Sequence, residues 1–168
     1  MFKIGEYVIY RRDLCIIKDI IDNKYYKLSL IDDDTLSISV PIDNKFGLLR
    51  KPMTKAEAEE LINKIPNIEP LKTNDKLLEN AYKELMRTNK QEDLIKIIKT
   101  TYLRNKEREE TGKKIADKDQ TFFEQAEKYL YNELALSLNM NYEECKKYII
   151  ESVTQEINNQ KEKSQNKN

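Results

Sequence analysis

Apolar positions change their period once along the chain, at Lys51-Pro52-Met53-Thr54. Before that point they gather in short runs rich in β-branched and aromatic residues: Glu6 to Tyr10, Leu14 to Ile21, Tyr25 to Ile31, Leu36 to Val40, and a last run around Phe46 to Leu49. Leu36, Ile38 and Val40 alternate with Ser37 and Ser39, the period of a strand with one buried face. The polar groups Arg11-Arg12-Asp13, Asp22-Asn23 and Asp32 to Thr35 separate these runs as turns. About five short strands within roughly 50 residues are too few for a sandwich but enough to close a small SH3/Tudor-like β-barrel, a scaffold used mostly for binding.

After the switch the spacing is helical. Thr54 with Glu57 has the form of a capping box, and Ala58, Leu61, Ile62 and Ile65 fall on one face behind it. Pro66 and Pro70 break that helix in a linker from Pro66 to Thr73. Thr73 or Asn74 suits the cap of a second helix carrying Leu77, Leu78, Ala81, Tyr82, Leu85 and Met86. Leu94, Ile97, Ile98, Thr101 and Tyr102 make the stripe of a third, which stops near Gly112. A fourth starts at about Asp119 with Phe122, Phe123, Ala126, Tyr129, Leu130, Leu134 and Leu138. A fifth, capped by Asn141, carries Cys145, Tyr148, Ile149 and Val153. The stretch from Asn158 to Asn168 has no apolar residue and is expected to be disordered. The fold class is therefore α+β: a barrel at 1–53, a compact all-α domain of about five helices at 54–157, and a tail at 158–168.

Composition removes several chemistries. The 168 residues include no histidine, so the usual general base and the commonest zinc ligand are missing. The three glycines, Gly5, Gly47 and Gly112, form no glycine-rich phosphate loop. Counted from Asp32, an EF-hand loop needs Gly and Glu where the chain has Ser37 and Asp43, so Asp32-Asp33-Asp34 reads as a hairpin turn. Glu57, Glu59, Glu60 and Glu133 are explained by helix propensity and surface solvation. The expectation is a protein that is not an enzyme and takes no metal, cofactor or small-molecule substrate. Cys15 and Cys145 read as reduced, buried thiols. No run is long enough to span a membrane and no signal peptide is seen, which points to the cytoplasm. With 30 basic and 30 acidic residues the formal net charge is 0, so nucleic-acid contact would need a local patch.

The order of these segments also resembles a family. "FKIGEYVIY" at Phe2 to Tyr10, "LSISVP" at Leu36 to Pro41, "RKPMTKAEAEEL" at Arg50 to Leu61, "LIKIIKTTYLRNKER" at Leu94 to Arg108 and "QTFFEQAEKYLYNELALSLN" at Gln120 to Asn139 are similar to the CarD/CdnL bacterial transcription regulators. The barrel of that family is shared with the polymerase-interacting module of the transcription-repair coupling factor. The resemblance implies a regulator that binds the RNA polymerase β subunit through an edge strand of its barrel. It also implies a helical domain that contacts promoter DNA upstream of the −10 element and modulates open-complex stability. It places polymerase contacts at Asn23, Ser37, Ile38, Ser39 and Val40.

The chain departs from the family at telling places. Tyr10-Arg11-Arg12-Asp13-Leu14 replaces the first turn with its Pro and His-Gly pair, and Asn23 and Ser39 stand where relatives carry basic residues. The Trp wedge of relatives aligns with Asn74 or its neighbour, and the chain has no Trp. Lys72, Asn74, Lys76, Lys113, Lys114 and Lys118 are the residues available for weak, sequence-blind contact with promoter DNA. On the third helix Lys96, Lys99, Arg104, Lys106 and Arg108 interleave with Glu92, Asp93, Glu107, Glu109 and Glu110, the pattern of a solvated face. The alternative is a protein-interaction adaptor that never touches DNA.

Overall fold

A computed structural model of the chain describes residues 1–166, the side chain at position 157 excepted. It divides into two units, Met1–Thr54 and Lys55–Asn168. Among the described residues no helix is long and apolar enough to cross a membrane.

The first unit is a five-stranded sheet of β1 (Tyr7–Tyr10), β2 (Asp13–Ile21), β3 (Tyr25–Leu30), β4 (Ser37–Pro41) and β5 (Leu49–Arg50). The strands are ordered β4-β3-β2-β1-β5, every pair is antiparallel, and the sheet curls into a half-barrel. Alternation sends Val8, Cys15, Ile17, Tyr26, Leu28, Val40 and Leu49 into one core. Lys18 is an extra residue between the pairs Ile17·Leu28 and Asp19·Lys27; this bulge rephases β2, so that Ile20 packs on the same core. Phe2 closes over it, with its N–H donating to the Tyr26 hydroxyl at 2.9 Å and its ring edge-on to Tyr26 at 5.9 Å.

Turn chemistry explains the register. Asp22 and Asn23 have φ of 52° and 54°, and the N–H of Lys24 bonds the Ile21 carbonyl at 2.9 Å. That is the type I′ turn whose twist matches a right-twisted hairpin, and Asp-Asn tolerates it because short polar side chains stabilise the left-handed region. Between β3 and β4, Asp33 accepts from the N–H of Thr35 at 3.0 Å, holding a polar turn.

The second unit contains α1 (Lys55–Lys64), a single 3₁₀ turn (Ile65–Asn67), α2 (Asp75–Arg87), α3 (Gln91–Glu110), α4 (Asp117–Leu138) and α5 (Tyr142–Asn166). α3 and α4 form the centre of this unit: Leu94, Ile95, Ile97 and Ile98 of α3 are all buried, α3 packs on α2 and α4, and α4 packs on α1, α2 and α5 as well. α3 ends in a Schellman motif, Gly112 at φ 73° with the N–H of Lys113 on the Arg108 carbonyl at 2.8 Å. α4 ends the same way with Asn139 at φ 54° and the N–H of Met140 on the Ala135 carbonyl at 3.0 Å. Asn141 then caps α5 by accepting from the N–H of Glu144 at 2.8 Å.

Three expectations are corrected. Residues 158–166, read as disordered, continue α5 to Asn166, because Lys, Glu and Gln favour helix and nothing there breaks it; positions 167 and 168 lie outside the described residues. Leu77 and Tyr148, placed on apolar faces, are 55% and 46% exposed; Leu78, Tyr82, Cys145, Ile149 and Val153 carry those faces. Glu133 is buried rather than solvated, accepting a hydrogen bond from the Gln91 side-chain amide and so joining α4 to α3.

Candidate functional site

Among the described residues β4 pairs with β3 on one side only. The N–H of Ile42 bonds the Lys24 carbonyl at 2.9 Å, marking that pair as hydrogen-bonded. By antiparallel alternation Val40·Tyr26 and Ile38·Leu28 are bonded as well, while Ser37, Ser39 and Pro41 turn their main chains outward. Pro41 fits this register, since it has no N–H to give. The site residues therefore divide. Ser37 and Ser39 present both main chain and exposed side chain. Ile38 is half-buried against the core, and Val40 is buried with its main chain committed to Tyr26, so neither adds a donor or acceptor to the edge. Asn23 lies in the turn beyond the Pro41 end of the strand, where its backbone conformation shapes the hairpin.

The other edge is closed. The outward N–H and carbonyl of Leu49 in β5 are both taken by the side-chain amide of Asn44, at 3.0 and 2.9 Å. Asn44 itself sits at φ 50°, which lets its amide lie alongside β5 as a substitute strand. No periodic signal in the sequence announces Asn44.

The six residues expected at DNA are distributed over the linker, the α2 N-terminus and the α3–α4 loop. Asn74 is the N-cap of α2; its Oδ1 accepts from the N–H of Leu77 at 3.1 Å, so its side chain serves the helix. Lys72 is exposed in the linker, beside Leu71, whose N–H bonds the Thr100 hydroxyl at 2.8 Å. Lys113 and Lys114 are exposed; the main chain of Lys113 closes α3, and the carbonyl of Lys114 accepts from Arg108 at 3.1 Å.

Lys76 and Lys118 do come together, lining a cleft of about 290 Å³ with Arg104 and Glu79. Yet Lys118 Nζ is 2.7 Å from Glu79 Oε2, and that bond, then the charges of Lys118 and Lys83, holds the Glu79 carboxyl below the ordinary range. Acids thus balance the bases at this spot.

Two cations read as solvated are structural instead. Lys99 is buried, donating to the carbonyls of Ile65 and Ile68, the latter at 2.8 Å, with Glu156 Oε2 of α5 2.7 Å away. Arg104 donates through Nε to Asp119 Oδ2 at 2.9 Å and through Nη1 to Asp75 Oδ1 at 2.8 Å. The Tyr82 hydroxyl donates to Asp119 Oδ1 at 3.2 Å, so one buried carboxylate ties α2, α3 and α4. Burial, followed by the Asp119 charge, pushes the Tyr82 hydroxyl above the tyrosine range. Cys15 and Cys145 are buried thiols; burial first, then Asp13 and Glu144 respectively, pushes them up to about 12 and about 11.

Fold and site together define an α+β protein whose half-barrel keeps one edge open and seals the other. No family model matches the chain, and no curated protein matches it significantly.

Proposed function

We propose that the chain is a CarD-like transcription regulator of the bacterial cytoplasm. Its half-barrel, of the SH3/Tudor-like kind, binds the RNA polymerase β subunit by taking a polymerase strand onto β4. Its helical unit acts at promoter DNA upstream of the −10 element and modulates open-complex stability. The observation that carries this reading is the asymmetry of the edges: β5 is sealed by Asn44, while Ser37 and Ser39 hold their main-chain groups outward. Tethering through β4 would raise the local concentration of the helical unit at DNA, so that weak phosphate contacts suffice.

The Lys118 to Glu79 pair and the capping role of Asn74 favour a second reading, an adaptor whose helical unit faces protein and not DNA. Open-complex lifetime with the cognate bacterial polymerase separates the two. The intact chain is compared with Ser39→Pro, which removes an outward N–H without touching the β3 ladder, and with Lys113, Lys114 and Lys118 all changed to Ala. The regulator reading expects Ser39→Pro to lose polymerase binding, and the triple variant to bind polymerase but leave the lifetime unchanged. If the triple variant alters the lifetime as the intact chain does, those lysines contact no DNA. If the intact chain binds polymerase without altering lifetime, the adaptor reading holds.

A further inference from the structure

The β4 edge carries more than unpaired main chain. Leu36, the residue before the strand, is 52% exposed, and Ile38 is half-buried, so apolar side chains lie beside the outward groups of Ser37 and Ser39. The chain leading into this end, Ile31 to Leu36, contains Asp32, Asp33 and Asp34 and no basic residue. Asp34 is exposed. At the other end the charges balance, Asp22 and Asp43 against Lys24 and Lys45. The edge therefore has an exposed acid, Asp34, just before β4 begins, the exposed Lys27 of β3 opposite Ser39 at its middle, and mixed charges where it ends.

From this we infer that the edge selects an extended protein segment with apolar residues at alternate positions, followed by Lys or Arg. The inference rests on the proposed use of β4 as a docking edge and specifies the chemistry of what docks. Antiparallel pairing lets Ser37 and Ser39 each exchange an N–H and a carbonyl with the incoming strand. A residue set opposite Val40 then has its alternate neighbours opposite Ile38 and Leu36, on the apolar side. Continuing past Thr35, the segment reaches the exposed Asp34, where a basic side chain gains and an acidic one is repelled.

The test uses the full chain, labelled with ¹⁵N, and two capped octapeptides, Val-Thr-Val-Thr-Val-Thr-Lys-Arg and the same sequence ending in Glu-Asp. The amides of Ser37 and Ser39 are expected to shift on titration, and the basic peptide to bind about fivefold more tightly at low salt, a preference that shrinks as salt screens it. Asp34→Lys is expected to abolish or reverse the preference while leaving the same amides shifting, which separates charge selection from damage to the strand. Equal affinity of the two peptides overturns the inference, as does a shift pattern that spares Ser37 and Ser39. Polymerase binding by the intact chain and by Ser39→Pro is measured alongside. If the intact chain does not bind polymerase while peptide selection is retained, only the polymerase reading falls; if the intact chain binds polymerase, Ser39→Pro does not, and the two peptides bind equally, only this inference falls.

Discussion

Changing Asp119 tests how the helical unit is held together. Its carboxylate is only 2% exposed, yet accepts from Arg104 Nε at 2.9 Å and from the Tyr82 hydroxyl at 3.2 Å. Asp119→Ala leaves the Tyr82 hydroxyl buried without its acceptor, a loss of about 1 to 2 kcal/mol. The Arg104 bond is charge-assisted and would contribute about 1.5 to 3 kcal/mol. Arg104 keeps Asp75 and is partly solvated, which discounts that figure, and the sum is about 3 kcal/mol. For a domain of this size each 1 kcal/mol lowers Tm by roughly 4 °C, so a fall of about 12 °C is expected in thermal melts followed by far-UV circular dichroism. Asp119→Asn is the sharper variant. Its amide oxygen can satisfy Tyr82, but its NH2 group then meets the N–H of Arg104, donor against donor, so Asn is expected to destabilise nearly as much as Ala. Lys118→Ala, which removes an exposed pair with Glu79, is the control and should leave Tm unchanged within error. If Asp119→Asn melts with the intact chain, the Arg104 bond does not hold the bundle, and the reasoning fails.

Two more outcomes follow from the same geometry. Asn44→Ala leaves the outward N–H and carbonyl of Leu49 without their amide partner, which should destabilise the half-barrel by about 1 to 2 kcal/mol and make sedimentation concentration-dependent as the second edge opens; unchanged stability and sedimentation would show the amide to be incidental. Glu127 of α4 is buried, and burial raises its carboxyl above the ordinary range despite Lys146 at 3.6 Å. A raised folded-state value means full stability below the ordinary carboxylate range and a decline as pH rises through the raised value. Glu127→Gln should remove that decline and stabilise the chain near neutral pH by up to about 1 kcal/mol; urea titrations across pH that superpose for the two proteins would contradict it.

The strands were legible because Ser37 and Ser39 alternate with Leu36, Ile38 and Val40, and a period of two has one reading wherever a face is buried. Helix boundaries were legible where a cap is local: Asn141 three residues before Glu144, and Gly112 after the last apolar turn of α3. What escaped depends on partners far away in the chain. Lys99 looks like any charge on a long helix until carbonyls more than thirty residues earlier and a carboxylate on α5 converge on it. Glu133 and Asp119 are hidden for the same reason: the acceptors of a buried network carry no periodicity. Asn74 shows a different limit. One residue supported two readings, a helix cap and a groove contact, and the geometry of its Oδ1 against the N–H of Leu77 gives the side chain to the cap.

The contrast between the two sheet edges also bears on self-association. An open five-residue strand without Lys or a bulge is a template for a second copy of itself, and Pro41 guards only its last position. Antiparallel self-pairing centred on Ile38 would use the same outward groups of Ser37 and Ser39. It would also set Asp33 opposite Asp43 of a second copy, once at each end of the ladder. Like charges facing across a ladder are destabilising. The acidic approach to β4 therefore opposes a second copy while remaining compatible with a segment that brings its own basic residues. Higher salt, by screening those aspartates, should favour self-pairing and weaken the selected partner together.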